Sequence, residues 1–214
     1  MQDDDGFTAC FVAAWNPRKH ETHANCETLL QLIERGADLD ATDNKGVTAV
    51  NAALESGQFT CVRLLLAHGC HVNCRRWFSA SQQVLRANRT TLPFVQRFLL
   101  SMDNNMRRKP HLIEVAAILN QTDIVRMVTL CGWQRQCVDL RLLQDWIDAE
   151  TQGREMLQSN LRVLSAYCRA VPPLMDQCRV SARAHLQHPL WRSIEALPLP
   201  DSLKDFLKMS SFLE

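Results

Sequence analysis

The sequence is poor in the residues that punctuate a turn-dense fold, with 7 glycines and 8 prolines among 214 residues. That scarcity argues against an all-β architecture and for helices. It also lacks an excess of either charge. Twenty-four Lys and Arg stand against 23 Asp and Glu, a net charge of +1. No bulk basicity points to nucleic acid, and no acidic block points to a disordered tail. Apolar runs are short: Val115-Ala-Ala-Ile-Leu119 is far below the roughly 20 residues that cross a bilayer. The start, Met1 to Gly6, is acidic and has no apolar stretch after a basic flank, so no secretory signal is expected. These absences predict a soluble intracellular chain, cytoplasmic with access to the nucleus, with neither nucleic acid nor membrane as a partner. Its length suits one substantial core or a short elongated stack.

Cysteine is not scarce. Cys10, Cys26, Cys61, Cys70, Cys74, Cys131, Cys137, Cys168 and Cys178 make an odd set, scattered along the chain. Without a signal peptide they read as reduced thiols acting as small hydrophobes.

The strongest pattern is an internal repeat. Its clearest unit contains Asp43-x-x-Gly46-x-Thr48, then Ala52-Ala53, Gly57, the run Leu64-Leu65-Leu66 and a closing Gly69-x-x-Val72-Asn73. Gly36 precedes Gly69 by 33 residues. This pattern resembles the ankyrin repeat, whose period is about 33. A first unit shares the frame through Gly6, Thr8, Ala13-Ala14, Leu29-Leu30 and Gly36. It spans 30 residues from Gly6 to Gly36 against 23 from Gly46 to Gly69, so seven extra residues are expected at the turn between its helices, within Asn16 to Glu27. A worn third unit is read over 76–104. A fourth carries Ala116-Ala117, Ile124-Val125, Met127 and Gly132, but loses the usual first-helix signature at His111 to Glu114.

The ankyrin resemblance therefore covers residues 3–132, as units over about 3–41, 43–74, 76–104 and 106–136. Past Val138 the signature stops while helical periodicity continues. Leu140, Leu143, Trp146 and Ile147 form one stripe, and Leu157, Leu161 and Leu164 another, with a break at Gly153. Residues 138–170 thus read as a helical pair closing the stack. No polar capping helix precedes the first unit, which raises the possibility of a shortened form, since terminal repeats normally need such a cap.

Pro172-Pro173 open a further region, 172–214. Leu174, Cys178 and Ala182 step by four along one helix, with Asp176, Arg179 and Arg183 elsewhere. Ile194-Glu-Ala-Leu197-Pro198-Leu199-Pro200 reads as an extended stretch without amide donors at its prolines. Asp201 or Ser202 is expected to cap a closing helix carrying Leu203, Phe206 and Leu207. Together these segments resemble a SOCS box, and the whole chain is similar to the ankyrin-repeat and SOCS-box family. The resemblance implies a mostly α fold, an ankyrin solenoid of about four units followed by a three-helix SOCS box. It implies elongin B/C binding through Leu174, Cys178 and Ala182, and contact with cullin-5, which brings its RING subunit, through Ile194, Leu197, Pro198, Leu199 and Pro200. Gln177 stands where a Leu is usual and Ala182 where a larger aliphatic is usual. The implied role is a non-catalytic substrate receptor of a ubiquitin ligase. A plain ankyrin scaffold and a truncated competitor for elongin B/C are the alternatives.

Other clusters carry less. His68, Cys70, His71 and Cys74, and His20, His23 and Cys26, match no zinc motif, so no metal or cofactor is expected. No cysteine or histidine sits in a recognisable nucleophile elbow or beside a phosphate-binding glycine loop, so no catalytic residue is assigned. Arg75, Arg76, Trp77 and Phe78 fall on one hairpin tip and Arg107 and Arg108 on the next, residue types that anchor interfaces. They are the candidate contacts for an unidentified protein substrate.

Overall fold

The computed structural model describes residues 2–15, 22–72, 111–133, 140–149, 154–186 and 189–213. The described residues are mostly helical, and their β-pairing is confined to the isolated bridges Gln2–Thr8 and Thr42–Thr48. Each bridge closes a hairpin ahead of a helix pair. At both tips an aspartate folds back on its own backbone: the Asp3 carboxylate accepts from the amides of Asp5 and Phe7 at 3.1 and 2.7 Å, and that of Asp43 from Lys45 and Val47 at 2.9 and 2.8 Å. Gly6 and Gly46 follow at φ of 82° and 79°, a region that penalises a Cβ. At Gly6 a Cβ would also lie 2.6 Å from the Asn44 amide of the next tip. The Asp-x-x-Gly-x-Thr motif is thus a self-contained turn ending in a helix start. Thr8 supplies that start for α1 (Ala9–Ala14) by accepting from the Phe11 amide at 3.1 Å.

The first unit pairs α1 with α2 (Thr22–Glu34), and the second pairs α3 (Ala49–Glu55) with α4 (Phe59–Ala67). At 13 residues against 9, α2 takes up part of the extra length of unit one, so the insertion does not lie wholly in the turn. Ala52, Ala53, Leu65 and Leu66 are buried, while Leu64 is only half-buried. The next described pair is α5 (Leu112–Ile118) and α6 (Thr122–Leu130). Its start replaces the usual motif with a reciprocal cap, in which the His111 amide donates to the buried Glu114 carboxylate at 2.6 Å.

Helix α3 packs directly on α5, and α4 on α6. Cys131 Sγ even donates to the Leu66 carbonyl at 3.5 Å. Residues 73–110, and with them the expected unit over 76–104, lie outside the described residues.

Helices α7 (Leu140–Ala149) and α8 (Arg154–Arg169) pack on one another, and α8 lies against α5 and α6. Leu143, Ile147, Leu157, Leu161 and Leu164 are buried in the core that runs through the whole stack. Helices α7 and α8 thus add a further layer against α5 and α6. Beyond Pro173 come α9 (Leu174–His185), α10 (Leu190–Glu195) and α11 (Asp201–Lys208), with a 3-10 turn at Ser210–Phe212. Leu190, Ile194 and Leu207 form a small separate core under Ala182, Leu186, Leu197, Leu199 and Phe206. Neither Asp201 nor Ser202 caps α11: Pro200 precedes it, and Asp201 instead places its charge in the first turn, where the helix dipole favours it. No helix among the described residues is long and apolar enough to cross a membrane.

Candidate interaction surfaces

Helix α9 is oriented against the usual rule. Val171, Leu174 and Met175 are 83%, 75% and 57% exposed, and Cys178 is exposed beside them. Arg179 and Arg183 are buried. Turning about 100° per residue places Arg183 about 180° round from Leu174, so the cationic side is driven into the protein and the apolar side stands in solvent. Leu174 and Cys178 share the exposed face. Ala182 does not: steps of four drift by about 40° each, and by Ala182 the helix has turned into the small core with Leu190, Ile194 and Leu207. There its small side chain touches α10 and α11. Val171 and Met175 were not singled out in the sequence, because only the Leu-x-x-x-Cys spacing drew attention to this helix. Gln177 donates to the Pro172 carbonyl at 2.8 Å, tying the helix to the residues that precede it.

The buried arginines have a definite task. The last carbonyls of a helix have no partner within it, and they carry its negative dipole end. Arg183 donates to three backbone oxygens: Leu66 and Ala67 at the end of α4, at 2.8 and 2.9 Å, and Leu207 in α11, at 2.6 Å. Trp191 Nε1 donates to the same Ala67 carbonyl at 3.2 Å, and its ring stacks on His68 with centroids 4.1 Å apart. Arg192 reaches the Glu34 carbonyl at the end of α2, at 2.7 Å. Side chains of α9 and α10 thereby cap the outer helices of units one and two. Burial pulls the Arg183 and Arg179 pKa values down from that of a free guanidinium. His68 is pushed down to about 4, by burial first and then by the Arg183 charge. Arg179 lies 3.7 Å over the Phe206 ring and 3.6 Å from Asp176.

The proline segment divides into a core side and an outward side. Ile194 is fully buried, so this residue shapes the segment from below and offers no surface of its own, contrary to the expectation that it meets a partner directly. Leu197 and Leu199 are half-buried against the same core, and Pro198 and Pro200 are exposed. Glu195 anchors the end of α10 by pairing with Lys208 and with Lys204, the latter at 3.6 Å. Arg75, Arg76, Trp77, Phe78, Arg107 and Arg108 fall outside the described residues, as do His20 and Cys74.

Two family profiles match the chain. The SOCS box profile matches residues 170–208, and an ankyrin-repeat profile of three copies matches residues 1–76. The chain is 27% identical over 251 aligned positions to human ankyrin repeat and SOCS box protein 6, covering 96% of this chain and 58% of that protein. It is 35% identical over 103 residues to the mouse B-cell lymphoma 3 protein homolog, covering 47% of this chain and 21% of that protein. The chain thus spans less than two thirds of either relative. With helix pairs stacked at one end and a three-helix SOCS box capping their rims at the other, the chain has the organisation of an ankyrin repeat and SOCS box protein.

Proposed function

We propose that the chain is a non-catalytic substrate receptor of a cullin-RING ubiquitin ligase. It holds elongin B/C on the exposed side of α9 and cullin-5 on the Leu197 to Pro200 segment, and presents a protein substrate from the ankyrin stack. The observation that carries this reading is the outward apolar face of α9, in which Leu174 is 75% exposed. Leaving so much apolar surface in water is unfavourable, and contiguous exposed apolar side chains mark interaction surfaces. The buried arginines prevent the helix from rolling over to hide that face. In this role the chain supplies proximity and orientation, holding substrate lysines near a ubiquitin-loaded enzyme.

The test is co-purification with elongin B/C and cullin-5. The native chain should recover both, and a Leu174→Asp, Cys178→Asp double variant should recover neither while keeping its fold, because both side chains lie at the surface. Recovery of neither partner by the native chain would leave a plain ankyrin scaffold as the better description. Substrate capture is assigned to Arg75, Arg76, Trp77, Phe78, Arg107 and Arg108, facing an acidic substrate segment. Charge reversal at the four arginines should weaken capture and leave elongin binding intact; undiminished capture would remove these residues from the substrate surface.

A further inference from the structure

Cys26 and Cys61 lie far apart in sequence but nearly touch in the fold. Cys26 is carried by α2 and Cys61 by α4, the outer helices of units one and two, and their sulfurs are 3.0 Å apart. A disulfide needs a separation of about 2.0 Å, so closure requires an approach of only about 1 Å. The two thiols differ in the way a reactive pair requires. Cys61 is completely buried in the core of the stack, whereas Cys26 is half-buried at its edge. A hydrogen bond that either sulfur can donate links the pair; this bond holds the Cys26 thiol below its ordinary pKa, and the same bond, together with burial, pushes Cys61 up. One sulfur is thus biased toward thiolate and open to a small reagent, while the other keeps its proton and waits behind it. Nucleophilic attack and oxidation both proceed through the thiolate.

We propose that Cys26 and Cys61 form a hydroperoxide-sensitive thiol pair that closes into a disulfide between the first two units. In the first step the Cys26 thiolate attacks one oxygen of the hydroperoxide, the O–O bond breaks, and Cys26 becomes a sulfenic acid while hydroxide or alkoxide departs. In the second step the Cys61 proton passes to the sulfenic oxygen of Cys26, the Cys61 sulfur attacks the Cys26 sulfur, and the S–O bond breaks with release of water. Two thiols are oxidised by two electrons and one peroxide is reduced, so no further reactant is needed. This is the reversible rung of the cysteine oxidation ladder. The product joins positions 35 residues apart and locks α2 to α4 near their starts, away from the ends that Arg192, Arg183 and Trp191 cap. Nothing in the proposal depends on the ligase reading.

The experiment uses the full chain, purified reduced, freed of reductant and treated with hydrogen peroxide. Peptide mapping without reduction should find a Cys26–Cys61 linked pair that forms before the exposed Cys178 is consumed and that dithiothreitol reverses. In Cys61→Ser, Cys26 should stop at the sulfenic acid and be captured by dimedone. The oxidised native chain should melt at a higher temperature than the reduced one, and Cys26→Ser should show no such shift. Full alkylation of Cys26 and Cys61 after peroxide has oxidised Cys178 would overturn the proposal, as would a linked pair formed from other cysteines. Mapping of the native chain decides the question even if a serine variant does not fold.

Discussion

The two faces of α9 are built from opposite materials and placed the opposite way round from an ordinary surface helix. On one side Leu174, Met175 and Cys178 stand in solvent, with Val171 exposed just ahead of the helix. On the other, Arg179 and Arg183 are buried, and Arg183 spends its donors on backbone oxygens of α4 and α11. A buried cation is costly unless it is hydrogen-bonded, and the helix rims of an ankyrin stack are one of the few places where a row of unused carbonyls waits for one. The lesson is that a stack of short helices carries its own acceptor surface. A second domain can dock there through polar contacts and keep its apolar residues free for a partner.

That comparison can be broken from either side. The largest effect is expected on the buried face: Arg183→Ala removes three hydrogen bonds, leaves their oxygens unpaired and should cost roughly 3–5 kcal/mol of unfolding free energy in urea titrations. A loss below about 1 kcal/mol would mean that the arginine only decorates the interface. Next, Ile194→Ala should cost about 2–4 kcal/mol, because it opens the small core beneath the proline segment. If Ile194→Ala instead weakens cullin capture at unchanged stability, Ile194 belongs to the partner surface after all.

The stacked pair of His68 and Trp191 gives a smaller, pH-dependent effect. Folding holds the His68 pKa at about 4 against an ordinary value of 6.5, so the unfolded chain binds the proton more readily. The stabilisation from neutral His68 is complete above the unfolded value and is lost as pH falls toward 4. The loss is on the order of 2 kcal/mol, read from melts across that window against His68→Phe, which should flatten the profile. The smallest change is expected on the exposed face, where Leu174→Ala should leave stability within about 0.5 kcal/mol while weakening elongin B/C recovery. A large destabilisation there would show that Leu174 is covered by the chain itself.

Much of the fold could be read before any coordinates. The Asp-x-x-Gly-x-Thr turns, the glycine spacing, the paired alanines and the two stripes past Val138 all became what their patterns implied, because each is a local matter of dihedral angles or helical period. Ala182 is the instructive miss. A step of four places neighbours on nearly the same face, but over eight residues the drift carried Ala182 into another core. The contacts of α3 with α5 and of α4 with α6 were hidden for a different reason, since sequence pattern carries no information on which helix pairs meet.

By itself, then, the sequence determined the Asp-x-x-Gly-x-Thr turns, the helical stripes past Val138, and that an ankyrin stack is followed by a SOCS box. Only the tertiary structure decided which face of α9 turns inward, that Ile194 is core while Leu174 is surface, and that units two and four touch. The physical reason is that the deciding acceptors, the carbonyls of Glu34, Leu66 and Ala67, become an interface only once α2 and α4 lie side by side. No residue of α9 or α10 can register that rim until the stack beneath it has formed.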